Sequence, residues 1–181
     1  MSRKLISGLL LLLSLPACSL LPTTNQPLKL SLLAPSEGLG DKLIKQSISL
    51  QTKDASNQFL VVMRLSDEQI KLNALLASGQ VLLSLHYDGQ SFQQNSSSPL
   101  PLPSEEILAF IQFALWPDTA VAKAYTANKG WQLELTTSQR HLSTHQGRYL
   151  SVHYLSPNTM QVMHLRHHYQ VFITTLGGTT P

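Results

Sequence analysis

The chain has 181 residues, 43% of them hydrophobic and only 13% charged, with a formal net charge of +3. That charge content is about half the usual share, and no basic run occurs, so nucleic-acid binding is not expected. The single cysteine excludes an internal disulfide, and a chain this poor in charge must bury its apolar surface or offer it to a ligand.

At the amino end, Arg3 and Lys4 precede an apolar stretch from Leu5 to Leu15, interrupted only by Ser7, Gly8 and Ser14. A run of about 11 residues is too short for a bilayer, which needs roughly 20. It reads as residues 1–17 of a signal peptide. The following Leu15-Pro16-Ala17-Cys18 resembles the lipobox of bacterial lipoproteins, where the cysteine is acylated and the chain is cut just before it. Stable attachment takes more than one acyl chain. The resemblance makes Cys18 the lipidation site, and Ser19 in place of a retention Asp implies sorting to the outer membrane. An ordinary signal peptide with an incidental cysteine is the alternative. Loss of Arg3 and Lys4 with the signal would reduce the net charge to +1.

Residues 18–27 read as a Pro- and Thr-rich tether, and 28–176 as one domain, with a frayed tail at 177–181. Leu28–Leu33 has the composition of a first strand. The period is then two: Ile48 and Leu50 share a face with Gln46 in 45–53, and Phe59, Val61, Met63 and Leu65 share one in 58–66. Residues 70–77 alternate Ile70, Leu72, Ala74 and Leu76 against Lys71, Asn73, Leu75 and Ala77, so apolar residues fall on both faces. Residues 80–92 form a hairpin around Asp88-Gly89. After a Pro-rich loop at 96–103, Ser104 is expected to cap a helix whose first turn holds Glu105 and Glu106. Its Ile107–Trp116 segment is apolar nearly all round, with Gln112 the one polar residue, so it should be buried on most sides. Asp118 would cap a short helix over 119–127. Strands are expected at 131–137, 140–145, 148–155, 160–167 and 168–176.

Strands, a helical interlude and strands again indicate α+β: a curved antiparallel half-barrel with helices packed on its concave side. The order of LLSLHYDGQSF, LPSEEILAFIQFALWP and GWQLELTT resembles the uncharacterised bacterial lipoprotein family known as domain of unknown function 3261. The match rests most on Tyr87-Asp88-Gly89 and on Ile107, Leu108, Ile111, Gln112, Ala114, Leu115, Trp116 and Pro117. Members are often encoded beside enzymes that make aryl polyene pigments. The element order is also similar to that of the lipoprotein carriers LolA and LolB, which implies an apolar cavity between sheet and helices.

Candidate lining residues for that cavity are Phe59, Val61, Met63, Leu72, Leu83, Leu85, Ile107, Ile111, Leu115 and Trp116, each of which would serve equally in a plain core. Arg64, in an otherwise apolar strand, is a candidate to hold the helical lid. Seven histidines, with His164, His167 and His168 closest together, lack HExxH or HxH spacing; polar rim positions on the sheet are expected, and no metal or cofactor. No G-x-S-x-G elbow occurs, and Glu105 and Glu106 diverge on a helix, so no catalytic set is assigned. The expected protein is a monomeric, non-enzymatic lipoprotein on the periplasmic face of the outer membrane. It would bind or transfer a lipid-like molecule, such as an aryl polyene or acyl species or a lipidated protein. A subunit that recruits biosynthetic or export proteins to the membrane is the alternative.

Overall fold

The computed structural model describes residues 28–51, 53, 56–97, 103–165 and 169–177. The segments expected to be signal peptide and tether, Cys18 included, most of the Pro-rich loop, Arg166, His167 and His168 and the last residues of the chain lie outside these.

Among the described residues, ten strands form one antiparallel sheet: β1 (Lys42–Gln51), β2 (Ser56–Leu65), β3 (Ile70–Leu75), β4 (Val81–Tyr87), β5 (Phe92–Ser96), β6 (Gln132–Leu135), β7 (Gln139–Thr144), β8 (Gly147–Ser156), β9 (Thr159–His164) and β10 (Tyr169–Thr175). Their order is β5-β4-β3-β2-β1-β10-β9-β8-β7-β6, so the sheet is open, with β5 and β6 at its edges. Two five-stranded meanders are joined where β1 pairs with β10, Ile48 standing opposite Ile173. Helices α1 (Ser104–Leu115) and α2 (Asp118–Ala124) connect the edge strands, making the fold α+β.

Period-two alternation decides which face is covered. Val61, Met63 and Leu65 of β2, Ile70 and Leu72 of β3, and Leu83, Leu85 and Tyr87 of β4 are buried in the core with Leu108, Phe113 and Ala114 of α1. Between them, Arg64 and Lys71 point to the outer face and are exposed. Asp88 makes the β4–β5 turn, its Oδ1 accepting from the N–H groups of Gln90 (2.9 Å) and Ser91 (2.6 Å), and Gly89 supplies the positive φ of 92°. Those two hydrogen bonds hold the Asp88 carboxyl below the usual range.

Helix α1 departs from expectation at its start. Pro103, not Ser104, is the N-cap residue, and Ser104 is buried in the first turn. Trp116 ends the helix in an extended conformation (ψ 154°), as the residue before a proline should. Leu108 to Ala114 are all buried, so the helix is covered on the side away from the sheet as well.

The cover is the segment expected to be a first strand. Leu28–Ala34 joins no sheet. Its backbone pairs with a side chain: the N–H of Leu33 donates to Gln112 Oε1 (2.9 Å), and Gln112 Nε2 donates to Leu33 O (2.6 Å). The Gln112 amide thus takes the place of a neighbouring strand's peptide group, which satisfies a buried polar pair on each partner. Tyr125 donates to Ser31 O (3.1 Å) and Trp116 Nε1 to Ala34 O (3.3 Å), so three side chains fasten this strap. A 3₁₀ turn at Pro35–Glu37 follows, tied to α2 by the Glu37–Lys123 ion pair. At Gly38 a Cβ would stand 2.8 Å from the Trp116 ring, so only glycine fits the close approach.

Edge-to-face rings run from Phe113 to Tyr125 (5.5 Å), Trp131 (5.6 Å), Tyr149 (5.5 Å) and His164 (4.9 Å). This spine carries α1 and α2 onto β6–β9. Burial pushes the Tyr125 hydroxyl far above its ordinary pKa, which keeps it a donor to the strap.

Candidate functional site

The carboxyl end of α1 leaves carbonyl groups that the helix itself cannot satisfy. Strands β7 and β8 supply their partners. Arg140 Nη1 donates to Phe113 O (2.6 Å), and Tyr154 donates its hydroxyl to Ala114 O (2.7 Å). The Arg140 guanidinium lies 5.6 Å from the centre of the Tyr154 ring, and its Nη2 pairs with Asp118 Oδ1 at 2.7 Å. Arg140 is 8% exposed, whereas the side chain of Asp118 is 59% exposed, so one end of the pair stays hydrated. A cation here also complements the negative end of the helix dipole. Burial raises the Tyr154 pKa against the opposing pull of Arg140, so the phenol stays protonated as a donor.

These contacts wall one side of a half-open cavity of about 430 Å³. Its apolar lining includes Leu39, Ile44, Leu115 and Met160, and its polar lining includes Gln46, Arg140, Tyr154 and Thr175. Gln46 stands on the inner face of β1 between Ile44 and Ile48 and is 1% exposed. Its Nε2 reaches Thr175 Oγ1 at 3.5 Å, and its Oε1 has no hydrogen-bond partner among the described residues. An unpaired buried amide oxygen costs on the order of 1–3 kcal/mol. A second half-open groove of about 460 Å³ adjoins this cavity and shares Asp41, Lys42 and Leu43 with it; it continues over Arg64, Ser66, Gln69 and Lys71.

Of the cavity residues expected from sequence, Leu115 lines the cavity. Val61, Met63, Leu72, Leu83, Leu85, Ile111 and Trp116 are packed in the core, Ile107 is partly buried against it, and Phe59 is half-buried. The volume expected along the whole inner face is occupied by α1, and the remaining space lies at the helix end. Arg64 does not hold the helices: it is exposed on the outer face opposite Leu43 and Lys71. Arg140 does so instead. Its signal was parity, since Arg140 alternates in step with the core residue Leu142. Gln46 had the same signal, a lone amide in step with Ile44 and Ile48.

The histidines are not all rim residues. His164 is fully buried, stacked on Tyr169 (5.2 Å), with Nε2 3.5 Å from Glu106 Oε1. Tyr149 donates to that same carboxylate oxygen at 3.2 Å. On the outer face, His141 Nδ1 lies 3.0 Å from Ser151 Oγ, and Glu134 stands opposite His141 in the β6–β7 register. Ser151 is 1% exposed, which shields its oxygen from a substrate. Burial first, then the Arg148 charge, lowers the His141 pKa. Among the described residues no group of three His, Cys, Asp or Glu side chains converges as a metal site would require, and no helix is long and apolar enough to cross a membrane.

The family model described as "Protein of unknown function (DUF3261)" matches residues 43–177, about three quarters of the chain. No curated protein matches it.

Proposed function

This chain belongs to the DUF3261 family, and we propose that it is a non-enzymatic lipoprotein, anchored through Cys18 to the periplasmic face of the outer membrane, that binds or transfers a lipid-like molecule. The same proposal takes the α+β fold to be of the kind used by the carriers LolA and LolB. The observation that carries the reading is the cavity at the end of α1. It sets aliphatic side chains beside a buried Gln46 whose oxygen has no partner among the described residues, the mixture that an amphiphile with a hydrogen-bonding group fits. Burial of a ligand chain there contributes about 0.8 kcal/mol per methylene.

A second reading, a subunit that recruits other proteins to the membrane, is favoured by exposed leucines at the same end of the sheet. Leu155 is 56% exposed and Leu43 47%. Leu176 donates its N–H to Lys45 O and so stands diagonally beside Leu43, while Leu155 precedes the β8–β9 turn.

The test is to isolate the full-length chain from membranes of cells grown with radiolabelled palmitate, then extract it with organic solvent for mass spectrometry. Label retained on the polypeptide and lost in Cys18→Ser supports the anchor. A stoichiometric extracted amphiphile supports carriage, and an extract without one, alongside stably co-purifying proteins, favours recruitment.

A further inference from the structure

The outer face of the sheet, turned away from α1 and α2, carries unpaired charge of one sign. Glu134 is the one acid in the ten described strands, and Arg148 pairs with it at 3.7 Å. Lys45, Arg64 and Lys71 are exposed on that face, and among the described residues none of them forms an ion pair. Register brings them together: Arg64 stands directly opposite Lys71, and Lys45 is the diagonal neighbour of Arg64, about 7–8 Å away. Aliphatic side chains are interleaved with these cations. Leu43 (47% exposed) lies opposite Arg64, Val62 lies opposite Lys45, and Leu60 (39% exposed) stands between Ser47 and Leu75 one row further on. Asp41, just before β1, and Asp67 and Glu68, in the β2–β3 turn, lie beyond the strand ends.

We propose that this face docks on an anionic lipid surface, with Lys45, Arg64 and Lys71 against phosphate groups and Leu43 and Leu60 at the acyl boundary. A bilayer surface offers both partners at once, phosphate for the cations and an apolar boundary for the leucines. An acidic protein surface would satisfy the cations and leave the leucines against charge. Long Lys and Arg stems lie along apolar surface while their heads reach outward, which lets one flat face meet both layers. Anionic phosphates also relieve the repulsion between Arg64 and Lys71. The docking goes beyond the carrier reading, because the cavity opens on the inner face and takes no part in it.

The experiment is fluorescence of the full-length chain carrying Leu43→Trp, mixed with vesicles of equimolar phosphatidylcholine and phosphatidylglycerol brominated on their acyl chains. Bromine quenches an indole only near contact, and Trp116 and Trp131 are buried, so their emission is a common background. Ala122→Trp, exposed on α2 on the opposite side, is the control. Attachment through the amino end is the same in every variant and does not move the comparison. The expected result is quenching at position 43 and not at 122. Each cation facing an anionic leaflet favours contact by about fivefold, so quenching should be largely lost in K45Q/R64Q/K71Q. High salt and pure phosphatidylcholine should release the Leu43→Trp chain in the same way, with no change to the protein's fold. Equal quenching at the two positions, none at position 43, or quenching indifferent to head-group charge and salt overturns the docking. The carrier reading is untouched by each of these outcomes.

Discussion

Replacing Gln112 by Leu separates the role of the strap from that of the helix. Leucine has a helix propensity close to that of glutamine and fits an apolar surrounding, so α1 itself should tolerate it. What is lost is the double hydrogen bond to Leu33, whose N–H and C=O then remain buried without partners. Each orphaned group costs about 1–3 kcal/mol. Exchange of an amide for a buried aliphatic side chain returns about half of that sum, so the net destabilisation should be about 1–3 kcal/mol. If the strap instead lifted to hydrate its backbone, Leu30 and Leu33 would lose their burial at about 1.5–3 kcal/mol each, a larger cost, so the strap should stay in place. Equilibrium urea unfolding reads the effect as a lower midpoint at unchanged slope, and amide hydrogen exchange should show faster exchange at Leu33. A change below about 0.5 kcal/mol, the range of ordinary surface substitutions, would refute the idea that Gln112 fastens the strap.

Two further outcomes follow from side-chain placement. Arg140→Ala removes the partner of Phe113 O and the Asp118 ion pair and should cost about 2–3 kcal/mol in urea unfolding, whereas Arg64→Ala should change stability by less than about 0.5 kcal/mol; equal effects would mean that the helix end is not held by Arg140. The depressed His141 pKa means that the unfolded chain binds a proton more readily than the folded one. Its share of stability is therefore complete above the ordinary histidine pKa and declines as pH falls through that value toward the folded one. The thermal midpoint should drop between about pH 7.5 and about pH 5.5, and by less in His141→Gln; identical profiles would contradict the assignment.

Much of the sheet was legible because burial on one face imposes a period of two, and β2, β3 and β4 carry that pattern plainly. The α1 pattern also read correctly as a helix buried on nearly every side, and Gln112 stood out in it. What covered that helix was not legible. Leu28–Leu33 has strand composition, but strand composition does not say whether the partner is a peptide group or a side-chain amide. The site was less legible than the fold. The residues expected to line a cavity were chosen for apolarity, the same property that places them in the core, so the pattern could not separate lining from packing. Arg64 and Arg140 each interrupt an apolar strand, and parity distinguishes them: Arg64 is out of step with Met63 and faces outward, while Arg140 is in step with Leu142 and faces the helices. The meeting of Arg64 and Lys71 was invisible in a linear reading because it comes only through the β2–β3 register.

The cavity at the end of α1 is tested most directly by filling it. Ile44 is partly buried on the inner face of β1 and lines the space, so Ile44→Trp should occupy it without displacing a core residue. Native mass spectrometry of the full-length chain should show a bound palmitic acid adduct on the wild type that is lost from Ile44→Trp, with charge states unchanged. An adduct of equal intensity on both proteins would contradict the placement of the ligand beside Ile44 and Gln46.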